Sequence, residues 1–170
     1  KLRIGRNRLG TPSLVQKAWK GISPGTLVRY LPSKFVRLGG KTVKISSSRI
    51  RQLLDRGRVN EMKALLGRNY SLSGRVLHGK KLGRKLGYPT LNLRVPEDQH
   101  SPKQGVYVAR AWLRGKSYSA VAFLGRAELP AGSGGGKPAP VLLESHLLNF
   151  DLSVYNETTQ IEFLEWVRAP

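Results

Sequence analysis

The sequence predicts an α+β protein, in which a mixed helix-and-strand segment precedes a small antiparallel β-barrel that runs from about residue 70 to the end. Three observations carry this. Up to residue 67, short apolar runs are punctuated by Ser and Gly at helix-capping positions. After Tyr70 the texture changes to alternating or short apolar stretches separated by turn residues. The 170 residues include no cysteine and are 39% hydrophobic, so the core is apolar, with neither disulfides nor cysteine-ligated zinc.

Residues 1–10 read as a short strand running into a glycine turn. Thr11-Pro12-Ser13 caps a helix that places Leu14, Val15 and Trp19 on one broad face. Thr26–Tyr30 and Phe35–Leu38 are strand candidates separated by Pro32-Ser33, and Gly39-Gly40 turns the chain into Thr42–Ile45. Ser46-Ser47-Ser48 precedes and caps a helix that starts at Arg49, with Ile50, Leu53 and Leu54 inward and Gly57 at its end. A second helix, Val59–Leu66, stops at Gly67. Strands follow at Leu72–Leu77, Gly105–Trp112, Tyr118–Leu124, Val141–Leu148 and Thr159–Val167, and 131–140 is a Gly/Pro-rich loop. No apolar run reaches the roughly 18 residues of a membrane span.

The formal charge is +20, unevenly spread. Residues 1–96 hold 23 Lys/Arg against Asp55 and Glu61, a net of +21, while residues 97–170 are near neutral. The first part attracts polyanions, whether nucleic acid or a nucleoside triphosphate.

Three constellations can carry chemistry. Residues 79–87 hold three glycines and four cations, then Pro89-Thr90-Leu91-Asn92. Free backbone amides beside cations suit a polyphosphate. The Thr90 hydroxyl and Asn92 amide oxygen are hard ligands suited to Mg²⁺. The same residues also make a basic surface hairpin. In Leu143-Glu144-Ser145-His146-Leu147, strand alternation puts Glu144 and His146 on one face, as a proton acceptor and neighbour or as solvent-facing residues. Ser46, Ser47 and Ser48, with Arg51 in the following turn, form either a phosphate-binding helix N-terminus or a well-capped surface helix. Gly132–Lys137 is not a Walker loop, because Ala131 and Pro138 occupy the positions of its first Gly and its Ser/Thr.

Taken in order, Ile45-Ser46-Ser47-Ser48-x-x-Arg51, Leu66-Gly67-Arg68-Asn69-Tyr70, Gly83-Arg84-Lys85-Leu86-Gly87-Tyr88-Pro89-Thr90-Leu91-Asn92-Leu93, Gly105-Val106-Tyr107 and Leu143–Phe150 resemble the bacterial bifunctional riboflavin kinase/FMN adenylyltransferase (FAD synthetase) family. The resemblance implies a six-stranded Greek-key riboflavin kinase barrel over 69–170, without its usual C-terminal helix. It also implies that residues 1–68 are the last part of an incomplete α/β nucleotidyltransferase domain. That domain's His-x-Gly-His signature is absent, since the histidines are His78, His100 and His146, so adenylyl transfer is not expected of this chain alone.

By the same resemblance, Glu144 is the base that accepts the riboflavin 5′-hydroxyl proton as the γ-phosphate of ATP is transferred. Gly79, Gly83, Arg84, Gly87, Thr90, Asn92, Asn149 and Tyr155 serve ATP, and Thr90 and Asn92 also hold Mg²⁺ or another divalent cation. Arg168 lies on the flavin side, and Ser46, Ser47, Ser48 and Arg51 mark a phosphate site left from the adenylyltransferase. The implied partners are small molecules (riboflavin, ATP, FMN), with no membrane, and the implied location is cytoplasmic. The family's Asn-Ile-Gly is Phe123-Leu124-Gly125 here, its Asp is Asn149, and its Leu-Tyr-Gly is Val154-Tyr155-Asn156, departures that fall on the flavin and adenine pockets. The basic half also fits a catalytically degenerate scaffold of this fold that binds RNA or the ribosome.

Overall fold

A computed structural model describes residues 7, 9–27, 29, 31–77, 90–96, 98–126, 139–150 and 154–170. The chain divides into two compact units, Lys1–Lys34 and Phe35–Pro170.

In the first unit, helix α1 (Pro12–Ile22) begins where the sequence predicts. The Thr11 side chain accepts the Leu14 N–H at 3.3 Å, and Pro12, which lacks an N–H, opens the first turn. The strand expected over Thr26–Tyr30 is not formed by its described residues. Pro24 and Pro32 bracket it, and no described strand lies alongside to take up its hydrogen bonds. Most of the strand expected over residues 1–10 falls outside the described residues.

The second unit opens with a hairpin of β1 (Phe35–Leu38) and β2 (Lys41–Lys44), in which Leu38 pairs with Lys41 across Gly39-Gly40. Both glycines have positive φ, +55° and +76°, as a two-residue turn of this hand requires. Helix α2 (Ser47–Asp55) is capped by Ser46, whose hydroxyl accepts the Arg49 N–H at 3.3 Å. It begins two residues earlier than its first charged turn suggested, so Ser47 and Ser48 lie inside its first turn. The expected second helix is a 3₁₀ turn (Val59–Glu61) leading into α3 (Met62–Leu66), which Gly67 ends at φ +73°.

Six antiparallel strands then close a barrel: β3 (Tyr70–Leu77), β4 (Thr90–Arg94), β5 (Gly105–Leu113), β6 (Lys116–Arg126), β7 (Val141–Leu147) and β8 (Thr158–Arg168). Their order around the barrel is β3-β4-β7-β6-β5-β8, with β8 returning to β3. Closure leaves no free sheet edge. The inward residues alternate, as in Gly105, Tyr107, Ala109, Ala111 and Leu113 of β5, all buried. Small Ala109, Ala111, Ala120 and Ala122 leave room for Tyr107 and Phe163, whose rings meet edge to face at 4.8 Å. Burial pushes the Tyr107 phenol pKa upward, and its hydroxyl donates to the Lys103 carbonyl.

The junction expected at 68/69 lies inside this second unit. Leu53, Leu54, Val59, Met62 and Leu65 belong to one continuous buried cluster with the barrel's Leu72, Tyr107 and Phe163. The apolar positions of α2 and α3 match only an interior, and the barrel supplies it. The Leu54 carbonyl accepts the Lys103 N–H at 2.8 Å, and Gly57 lies beneath the Trp166 indole, where a Cβ would come within 3.0 Å of Cγ. Leu53→Ala should therefore destabilise the whole barrel, by about 2–5 kcal/mol. Chemical denaturation followed by barrel tryptophan fluorescence checks this, and a loss confined to helical signal would refute it.

Ser145 also points inward, and its buried hydroxyl has no partner among the described residues. An unpaired buried hydroxyl gives no net benefit. Ser145→Ala should leave stability unchanged or raise it by up to about 1 kcal/mol, read as the midpoint of urea unfolding.

Candidate functional site

The site is built from strand register. The buried residues of β7 are Leu143, Ser145 and Leu147, so Glu144 and His146 face outward and are half-buried. On neighbouring β4, Asn92 stands opposite Glu144 and Thr90 opposite His146. Side chains opposite each other on one face of an antiparallel pair are about 5 Å apart at Cβ. The fold thus gathers Thr90, Asn92, Glu144 and His146 into one outward cluster, although some fifty residues of chain separate the two strands.

The same register continues on both sides. Leu77 of β3 pairs with Asn92, while Phe123 of β6 pairs with Glu144 and Val121 with His146. Phe123 pairs in turn with Val106, and Val106 with Arg168. Glu144 therefore lies between an amide on one strand and an aromatic ring on the other. Phe123 is 38% exposed and Val121 47%, an apolar surface directly beside the acid. The Phe123 ring extends along β6 over Gly125, where an added Cβ would fall 2.7 Å from the ring.

Arg168 sits three strands from Glu144 in this row, exposed, with its guanidinium donating to the Ala169 carbonyl at 3.1 Å. Asn149 is an exposed turn residue at φ +55°, just past the end of β7. Tyr155 packs against a second small core of Val76, Leu113 and Val154. Beyond it, Arg114 and Glu157 form an ion pair; the hydrogen bond from Arg114 holds the Glu157 carboxyl below its ordinary range.

Gly79, Gly83, Arg84 and Gly87 lie outside the described residues. The segment holding them leaves from Leu77 and re-enters at Thr90, so both of its anchors belong to the Asn92 strand pair. Ser46, Ser47, Ser48 and Arg51 sit at the start of α2. The far end of that helix is tied to Lys103 and Trp166 on the β5–β8 side, so the helix packs on a different part of the barrel from β4 and β7.

The donor set matches a hard cation. Thr90 and Asn92 offer neutral oxygens with one carboxylate opposite, and no group of three or more His, Cys, Asp or Glu among the described residues could ligate a softer metal. A cation held there would draw its remaining ligands from water or a bound phosphate.

Sequence reasoning missed Phe123 and Val121 as neighbours of the acid. Their alternation on β6 was legible, but their pairing with β7 was not, because 127–140 separates the two strands and hides the register.

A sequence model of the family described as "Flavokinase: Riboflavin kinase" matches residues 66–170. The chain belongs to the riboflavin kinase family. Among curated relatives, the bifunctional riboflavin kinase/FMN adenylyltransferase of Escherichia coli K12 is 34% identical over 167 residues, 98% of this chain and 49% of the relative. That of Pseudomonas fluorescens is 33% identical over 97% of this chain and 49% of its own length. That of Listeria monocytogenes is 34% identical over 74% of this chain and 38% of its own. The chain thus spans about half, or less, of the curated relatives it matches. A solved structure titled as a macrolide-efflux protein from Streptococcus pneumoniae superimposes with a TM-score of 0.67 at 33% identity, covering 75% of this chain and 40% of that one. The riboflavin kinase barrel is therefore established at the level of fold and family. No helix among the described residues is long and apolar enough to cross a membrane.

Proposed function

We propose that the barrel transfers the γ-phosphate of ATP to the 5′-hydroxyl of riboflavin, giving FMN and ADP. The observation that carries this is the cross-strand pairing of Asn92 with Glu144, with Thr90 two residues away on the same face. A carboxylate between an amide and an apolar surface is placed to accept a hydroxyl proton as that oxygen bonds to phosphorus and the bond to the ADP oxygen breaks. Little covalent chemistry is asked of the protein, and positioning and charge neutralisation do most of the work.

In this reading the Thr90 hydroxyl and the Asn92 carboxamide oxygen hold a divalent cation, Mg²⁺ being the natural choice, which when bound neutralises charge on the phosphate oxygens. Gly79, Gly83, Arg84 and Gly87 receive the polyphosphate, and Asn149 and Tyr155 serve the nucleoside. The apolar Val121–Phe123 surface and Arg168 serve the flavin. Residues 1–68 correspond to part of the adenylyltransferase half of the relatives, with Ser46, Ser47, Ser48 and Arg51 as its phosphate site. The protein would act in the cytoplasm.

Incubation of the chain with riboflavin and Mg-ATP, followed by chromatography, tests the reading. FMN should accumulate with an equal amount of ADP, and no FMN would refute it. The +21 charge of residues 1–96 supports a second reading, a basic scaffold for RNA. Steeply salt-dependent RNA binding without FMN formation would establish that one instead.

A further inference from the structure

Beside the transfer residues lies a groove that none of the roles above uses. It is formed by Gly74, Arg75 and Leu77 of β3 and by Arg94, Val95, Pro96 and Asp98 at and beyond the end of β4, and it is an open groove of about 690 Å³. That is a volume suited to a ligand of nucleotide size.

Two features make it more than a surface dip. The turn that forms its outer wall is pinned to β3 through the Gln99 carboxamide, which accepts the Ser73 N–H at 3.3 Å and donates to the Ser73 carbonyl at 3.4 Å. Gly74 keeps the strands close, since a Cβ there would stand 3.2 Å from the Arg94 carbonyl oxygen. The groove is therefore a held shape.

The second feature is its charge. Val76 pairs with Leu93 and Leu77 with Asn92, and the next residue on each strand, Arg75 and Arg94, lines the same groove. Val76 and Leu93 are buried, which turns both arginines outward, and both are exposed. Like charges brought together on a sheet face repel. No described residue forms an ion pair with either guanidinium, and among the groove's described residues one carboxylate, Asp98, is present. Leu77, Val95 and Pro96 give it an apolar floor.

We propose that this groove binds a phosphorylated ligand whose phosphate oxygens bridge Arg75 and Arg94 while its planar body lies on Leu77, Val95 and Pro96. Paired guanidiniums match phosphate oxygens in bidentate geometry and are relieved of their mutual repulsion when an anion lies between them. Leu77 lies across from Asn92, so the groove opens beside the residues proposed for phosphoryl transfer. The phosphate can belong to a second ATP molecule or to released FMN, either one bound outside the transfer site, and that assignment of source rests on the kinase reading, whereas the anion site does not.

The test titrates inorganic pyrophosphate into the full chain by calorimetry. Arg75→Gln/Arg94→Gln should weaken its binding by at least about tenfold, the loss of two charge-assisted contacts. Arg37→Gln/Lys41→Gln, which removes the same charge from the β1–β2 hairpin, should leave it within about twofold, as expected of exposed charges distant from the ligand. Equal weakening by both pairs, or no weakening by the first, overturns the proposal. Steady-state kinetics then identify the source. Relief of inhibition by excess ATP in the groove variant assigns ATP; relief of inhibition by FMN assigns the product. If the unmodified chain makes no FMN, the kinase reading fails while the pyrophosphate titration still decides the groove.

Discussion

Glu144→Gln should reduce FMN formation by about 10²–10⁴-fold while leaving the protein folded and its affinity for ATP nearly unchanged. The amide has the size and polarity of the acid but cannot take a proton from the attacking hydroxyl. Glu144 is half-buried on the outer face of β7, with Asn92 opposite on one side and Phe123 on the other, so the core does not register the change. The measurement is a single-turnover assay with riboflavin and Mg-ATP, alongside a thermal melt of the same sample. A variant keeping more than about a tenth of the activity would remove Glu144 from the role of base. Loss of activity together with a lowered melting temperature would instead place Glu144 in the fold.

A large stability effect is also expected at Gly105, the first residue of β5. Its φ of +147° is one that L side chains rarely adopt, and an added Cβ would stand 2.3 Å from the Arg168 carbonyl oxygen and 2.6 Å from Trp166 Nε1. Neither neighbour gives way freely. The first is backbone, and the indole donates to the Gln104 carbonyl at 3.3 Å while the Lys103 ammonium lies 4.2 Å from its ring centre. Gly105→Ala should cost about 3 kcal/mol or more. That corresponds to a fall of about 6–12 °C in Tm for a chain of this size. Guanidinium unfolding measures it, and a loss under about 1 kcal/mol would show that the β5–β8 contact yields without strain. Because the displaced carbonyl is that of Arg168, whatever residual folded enzyme remains should also show a raised KM for riboflavin and an unaltered KM for ATP.

Much of this was legible in the sequence because local chemistry dictated it. Ser46 and Thr11 announced the helices they cap; Gly39-Gly40, Gly57 and Gly67 announced turns that need positive φ. The alternation in β5 and in β7 announced two-faced strands, and so put Glu144 and His146 on one face. The pairing of strands distant in sequence was not written locally. Nothing in Thr90–Asn92 alone says that β7 lies beside it, and only the ordered set of family motifs brought Glu144 to that site. Where no motif existed, as at Phe123, Arg75 and Arg94, register alone created the neighbourhood. Thr26–Tyr30 shows the opposite failure, for strand-like residues without a strand to pair with remain irregular. The 68/69 junction marks a change of secondary structure and the approximate start of the family match at residue 66, yet the hydrophobic interior runs straight through it.

That shared interior has a consequence for how such a chain can be divided. Leu53, Leu54, Val59, Met62 and Leu65 act as a stopper in one mouth of the barrel, held there by the Leu54–Lys103 backbone bond and by Gly57 under Trp166. The kinase barrel is thus completed by residues that precede its own family boundary. Recombination that cut the gene at that boundary would hand on a barrel with an unsealed, greasy opening, and the recipient would have to provide a new plug. Cut there, the barrel loses part of its own interior.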